Sequence, residues 1–76
     1  MDTKKLVRMA NQIAANLDYG QDRAALVQSV ADHLRRYWTP DMKQEIVAQQ
    51  RAGSAELNEA AGMAVAKLAE DQQNAA

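Results

Sequence analysis

A chain of 76 residues without a single cysteine must hold itself together by packing alone. Disulfides, thiolate metal sites and iron–sulfur ligation are all excluded. One histidine cannot build an imidazole metal cage. A domain of this length buries only about 60% of its unfolded surface, and small scaffolds usually need a staple or a partner. What remains is regular helix packing, self-association or a companion subunit. Phe is absent, so the core must be built from Leu, Val, Ile, Met and Ala. These side chains suit helices.

The apolar spacing agrees. Leu6, Ala10, Ile13 and Leu17 recur at four-three-four intervals, the stripe of an amphipathic helix over Thr3 to Leu17, widened by Val7, Met9 and Ala14. Asp2 or Thr3 can cap its start. Asp18-Tyr19-Gly20-Gln21 is a break, where Gly20 supplies positive φ, and Asp22 can cap a second helix over Arg23 to Tyr37. Its stripe is Val27, Val30 and Leu34, continued by Tyr37, with Leu26, Ala31 and Trp38 alongside. Thr39-Pro40 then resets the chain: Pro suits the first helical position and Thr caps it. The third helix carries Met42, Ile46 and Val47 and stops near Gly53. A softer fourth helix starts from a Ser54 or Asn58 cap and carries Ala61, Ala64, Val65 and Leu68. Gly62 inside it costs about 1 kcal/mol relative to Ala. Residues 70–76 read as a frayed polar tail. The expectation is one all-α domain over 1–76, a small bundle of three to four short helices.

Catalytic patterns are missing. There is no nucleophile–His–Asp set, phosphate-binding Gly loop or zinc-hydrolase helix motif. No carboxylate occupies an apolar context that would raise its pKa for acid–base work. No enzyme activity, cofactor or metal is expected. No apolar run approaches the roughly 20 residues that span a bilayer. The start, Met1-Asp2-Thr3-Lys4-Lys5, leads into an amphipathic pattern rather than a signal peptide's apolar region, so a cytoplasmic setting is expected.

The chemistry that does stand out is a joint. His33-Leu34-Arg35-Arg36-Tyr37-Trp38-Thr39-Pro40-Asp41-Met42 holds the only His, Trp and Pro of the chain. Trp and Arg are the residues most enriched at binding hot spots. Trp38 reads as part core plug, part partner anchor, and Tyr37 shares that ambiguity. Arg35 and Arg36 also suit the negative pole of a helix end, with Arg36 the stronger interface candidate.

The sequence resembles the delta subunit of NAD-dependent, molybdenum-containing formate dehydrogenases. Two blocks carry the resemblance: Met9-Ala10-Asn11-Gln12-Ile13, and His33-Leu34 followed by Tyr37-Trp38, Pro40 and Met42. The resemblance implies a non-catalytic accessory subunit of a cytoplasmic complex. In that family the alpha subunit carries the molybdenum cofactor and iron–sulfur clusters, while beta and gamma subunits carry flavin and reduce NAD⁺. The partner implied is the large catalytic alpha subunit, and the role is assembly or stability. The positions matching the motif are Met9, Asn11, Gln12, His33, Arg36, Trp38, Pro40 and Met42; with Tyr37 they form the expected partner-binding set. The chain departs from the family at Leu57-Asn58-Glu59, where a Leu-Asp-Pro start to the last helix is common.

Two rivals come from the residues themselves. One is a homodimeric helical interaction module closed around Trp38. The other is a helix-turn-helix nucleic-acid domain with Arg35, Arg36, Lys43 and Arg51 on phosphates. A net charge of −1 supplies little drive for the second, so no nucleic-acid or membrane partner is expected.

Overall fold

In the computed structural model, which describes residues 3–53 and 56–74 with side chains up to 71, the fold is all-α. Its helices are α1 (Thr3–Asn16), α2 (Arg23–Tyr37), α3 (Pro40–Arg51) and α4 (Glu59–Asn74). The punctuation read from sequence sets these limits. Gly20 takes φ of +88° after α1. The Asp22 carboxylate accepts from the Ala25 N–H at 2.8 Å, and the Thr39 hydroxyl accepts from the Met42 N–H at 3.2 Å. Gly53 ends α3 at φ +72°. The last cap is Asn58, whose Oδ1 accepts from the Ala61 N–H at 2.8 Å. The alternative caps Asp2 and Ser54 lie outside the described residues. Thr3 instead opens α1 itself and donates its hydroxyl to Glu45 of α3 at 2.6 Å. The last helix runs to Asn74, through the first residues of the segment read as a tail; residues 75–76 are not among those described.

The core is one aliphatic cluster closed by an indole: Leu6, Val27, Val30, Leu34, Trp38, Ile46, Val47, Val65 and Leu68, with alanines between them. No polar side chain among the described residues is buried. The core is therefore dry, and burial free of unpaired polar groups is its main source of stability.

One expectation needs correction. Tyr37 does not extend the α2 stripe; it is 69% exposed, while Trp38 is 6% exposed and takes that place. The packing of the helices is centred elsewhere than on the two with the clearest stripes. α4 packs on α2 and α3 and also touches α1, which makes the softest-looking segment the centre of the bundle. Its alanines explain this. Ala61 and Ala64 are fully buried and let neighbouring helices approach closely, with Val65 and Leu68 filling the space between.

Polar links fasten α4 along its length. Arg23 meets Glu59 at 2.6 Å, Gln50 donates to the Gly62 carbonyl, and Arg35 reaches Asp71. Each is at or near the surface and sets alignment more than stability.

Candidate functional site

The last turn of α2 sorts its side chains sharply. At 100° per residue, Leu34 and Trp38 point to the core while His33, Arg36 and Tyr37 point away from it. Trp38 is the C-cap, its backbone extended at φ −88°, ψ 141°, and its N–H donates to the Leu34 carbonyl at 3.1 Å. The indole enters the core where the chain turns. It closes the bundle and offers no free face to a partner.

Tyr37 and His33, four residues apart, meet in a tilted ring contact with centroids 4.7 Å apart and planes at 46°. With Arg36 and Ser29 of α2, and Leu17 just past α1, they line an open groove of about 290 Å³. Asp32 borders it. Its Oδ1 accepts from Arg35 at 2.9 Å and from Gln28 at 3.0 Å.

The adjacent arginines have different fates. Arg35 bonds Asp71 as well as Asp32, and the hydrogen bond it donates to Asp71 leads in holding its guanidinium above the ordinary pKa. Arg36 is exposed and meets no carboxylate among the described residues. Arg35 is thus structural and Arg36 is the one left to meet something else. Lys43 also turns inward, to the Arg35 carbonyl at 3.5 Å. Two of the four cations a helix-turn-helix would place on phosphates are therefore engaged within the chain.

The remaining positions of the expected set divide. Met9 is half-buried, packed against the core, and shares the row Met9, Ile13, Leu17 that leads toward the groove. Gln12 is exposed and donates to Asn16 at 3.0 Å. Pro40 is exposed at the start of α3, and Met42 packs half-buried against the core. Asn11 faces another way. Its Nδ2 donates to the Glu56 carbonyl at 2.9 Å, and its Oδ1 accepts from the Asn58 N–H at 2.8 Å. It therefore clamps the segment that starts α4, where a proline is missing. The structure brings His33, Arg36 and Tyr37 together, leaves Pro40 beside them in sequence, and gives Asn11 and Trp38 internal work.

Sequence reasoning missed Leu17, Ser29 and Tyr19. Leu17 reads as pure core from its stripe, and no local pattern singles out Ser29. Tyr19 is 81% exposed in the α1–α2 turn. An aromatic between Asp18 and Gly20 has no helix face to bury against, and that was its available signal.

The Asn11 clamp gives a direct test. Asn11→Ala should cost about 1–2 kcal/mol, since each such hydrogen bond contributes about 1. Tm should fall by roughly 4–16 °C for a chain of this size. Asn11→Asp keeps the acceptor for the Asn58 N–H and should fall between. Thermal unfolding by circular dichroism measures both; an unchanged Tm in Asn11→Ala would mean that the clamp carries no energy.

Among the described residues, no group of three or more His, Asp or Glu side chains is placed to hold a metal ion, and no helix is long and apolar enough to cross a membrane. Comparison with known proteins adds one finding. Residues 5–65 match the family described as NADH-dependent formate dehydrogenase delta subunit. Nothing matches among curated proteins or solved structures. The matched span takes in α1, α2, α3 and the first half of α4, and so every residue of the groove.

Proposed function

The chain belongs to the family of NADH-dependent formate dehydrogenase delta subunits, and from that premise we propose that it is a non-catalytic accessory subunit of a cytoplasmic complex. It binds the large catalytic subunit and supports its assembly or stability. The observation that carries this reading is the family match over most of the chain, α1 through mid-α4. The surface chemistry agrees with it. The exposed large apolar side chains among the described residues are Tyr19, Tyr37 and Met63, two of them tyrosines. Tyr combines apolar area with a polar handle and favours interfaces.

The residues proposed for contact follow from exposure. His33, Arg36 and Tyr37 form the centre, with Met9, Gln12 and Pro40 at its margins. Trp38 and Met42 pack against the core beneath the α2–α3 joint, and Asn11 is left out of the contact set because it is spent on Glu56 and Asn58. The accessible surface, 4823 Å², is close to the about 4,600 Å² of an ordinary monomer of this mass. The chain thus closes its own core, and docking uses a small aromatic and charged patch rather than a large unburied stripe. This favours the subunit reading over a homodimer closed around Trp38, because Trp38 is already enclosed.

The test is co-expression of the tagged chain with the large subunit, followed by affinity capture at moderate salt. A stable complex with the large subunit, and a lower yield of assembled enzyme when the chain is omitted, is the expected result. Capture of the chain alone, with assembly unaffected by its omission, would refute the proposal.

A further inference from the structure

The α1–α2 turn orders a side chain that the core does not use. The Tyr19 ring is 81% exposed and makes no hydrogen bond or ring contact among the described residues. The backbone beneath it is tied three times. The Tyr19 N–H donates to Gln21 Oε1 at 2.7 Å, Gln21 Nε2 donates to the Leu17 carbonyl at 2.8 Å, and the Gly20 N–H donates to Asp18 Oδ1 at 3.1 Å. Gly20 supplies the left-handed φ within these ties. An aromatic side chain on a fixed turn loses little freedom when a partner covers it, and such preorganisation tightens binding.

The charge around the ring is one-sided. Asp18, Arg23 and Glu59 line an open hollow of about 480 Å³ between the end of α1 and the starts of α2 and α4, and Asp22 caps α2 beside it. Three carboxylates stand against one guanidinium, a net charge of −2. Arg23 is spent on Glu59. Asp18 and Asp22 accept from backbone N–H groups, which fix them and leave their charge in place. One negative and two positive helix ends meet here, about half a positive charge in sum, too little to reverse the sign. Beyond Leu17, Asp32 and Arg36 offset one another. Resting on the docking reading above, we infer that Tyr19 anchors a second contact: its ring enters a hollow of the large subunit whose rim carries Lys or Arg. The ring supplies buried apolar area, and Asp18 and Asp22 meet the basic rim. Leu17 leads from this turn into the groove beside His33 and Tyr37, so the two contacts adjoin.

The experiment measures affinity of the full-length chain for the large subunit at low and high salt, beside sedimentation of the chain alone. The parent chain should sediment as a monomer and bind less tightly as salt rises. Tyr19→Ala should weaken binding at least about tenfold, the loss expected of a buried aromatic anchor. Tyr19→Phe keeps the ring and should stay within about threefold of the parent. The double variant Asp18→Asn with Asp22→Asn keeps both acceptors for the N–H groups and removes the charge. It should weaken binding at low salt and flatten the salt dependence. Met63→Ala, a truncation of the exposed apolar side chain on α4, should leave affinity within about twofold. All these side chains are exposed, so the helical signal should match the parent chain.

Parental affinity in Tyr19→Ala, an equal loss in Met63→Ala, or parental binding that salt does not weaken overturns the inference. A parent dimer that Tyr19→Ala dissolves also overturns it, and seats the ring on a second copy instead. If the parent chain does not bind the large subunit at all, the function proposed above fails together with it. If the parent binds and Tyr19→Ala binds equally, only the Tyr19 anchor fails.

Discussion

Trp38→Ala should unfold the isolated chain, or bring it close to unfolding, while Tyr37→Ala leaves stability within about 1 kcal/mol. Removing a buried Trp side chain costs about 3–5 kcal/mol, through lost burial and the cavity left behind. A domain of this length has roughly 4–11 kcal/mol in total. The indole is 6% exposed and closes the end of the core where α2 gives way to α3; the neighbouring ring is 69% exposed and touches His33. The same truncation at adjacent positions therefore has opposite expected effects on the fold. Urea titration followed by circular dichroism separates them. In the parent chain the single Trp gives a second signal, since its emission shifts to the red when the indole meets water. The assignment is also a statement about docking. Loss of the partner in Trp38→Ala should track loss of helix, whereas loss in Tyr37→Ala should occur with the helix intact. A Trp38→Ala chain with parental urea midpoint would show that the indole is not a core element.

That contrast also shows where sequence reasoning reached its limit. The order of the helices and the limits of the first three were legible because each is local, while the extent of the last, which runs to Asn74, was not. Asp22, Thr39, Pro40 and Gly53 act on their own backbone, and the apolar period needs no partner to be seen. The choice between Tyr37 and Trp38 was not local. After Val30 and Leu34, either residue continues a helical stripe. The observed row is Val27, Ala31, Leu34, Trp38, and the small Ala31 side chain conceals it in a search for large apolar residues. The same blindness to alanine made α4 look peripheral. Ala61 and Ala64 have little area to bury, but their smallness permits close approach of neighbouring helices. Of the expected contact residues, His33 and Arg36 stood out for their chemistry and are found outside the core. Asn11 looked like a surface amide because its partners, Glu56 and Asn58, are 45 and 47 residues away. The split between Arg35 and Arg36 depended on Asp71, 36 residues further on, which no local pattern links to either.

Leu68→Ala should destabilise the chain about as much as Leu34→Ala does, by about 2–5 kcal/mol each. The equality matters more than either value. Leu34 lies on a helix that announces itself in the sequence; Leu68 lies on one that does not. Both are at most 2% exposed, and both belong to the same core cluster. Leu68 is the largest apolar side chain that α4 contributes to that cluster, so its loss leaves a cavity that alanines nearby cannot fill. The polar ties of α4, to Arg23, Gln50 and Arg35, remain in the variant and hold the helix near its place. Partial collapse around the cavity is thereby hindered, which moves the cost toward the upper end of the range. Urea unfolding should show a lower midpoint for both variants with an unchanged slope, since a truncation inside a single cooperative core changes stability without changing the surface exposed on unfolding. A cost below about 1 kcal/mol for Leu68→Ala, beside a large cost for Leu34→Ala, would return α4 to the margin of the fold. The clamp at Asn11 would then fasten an accessory helix rather than the element on which α2 and α3 are assembled.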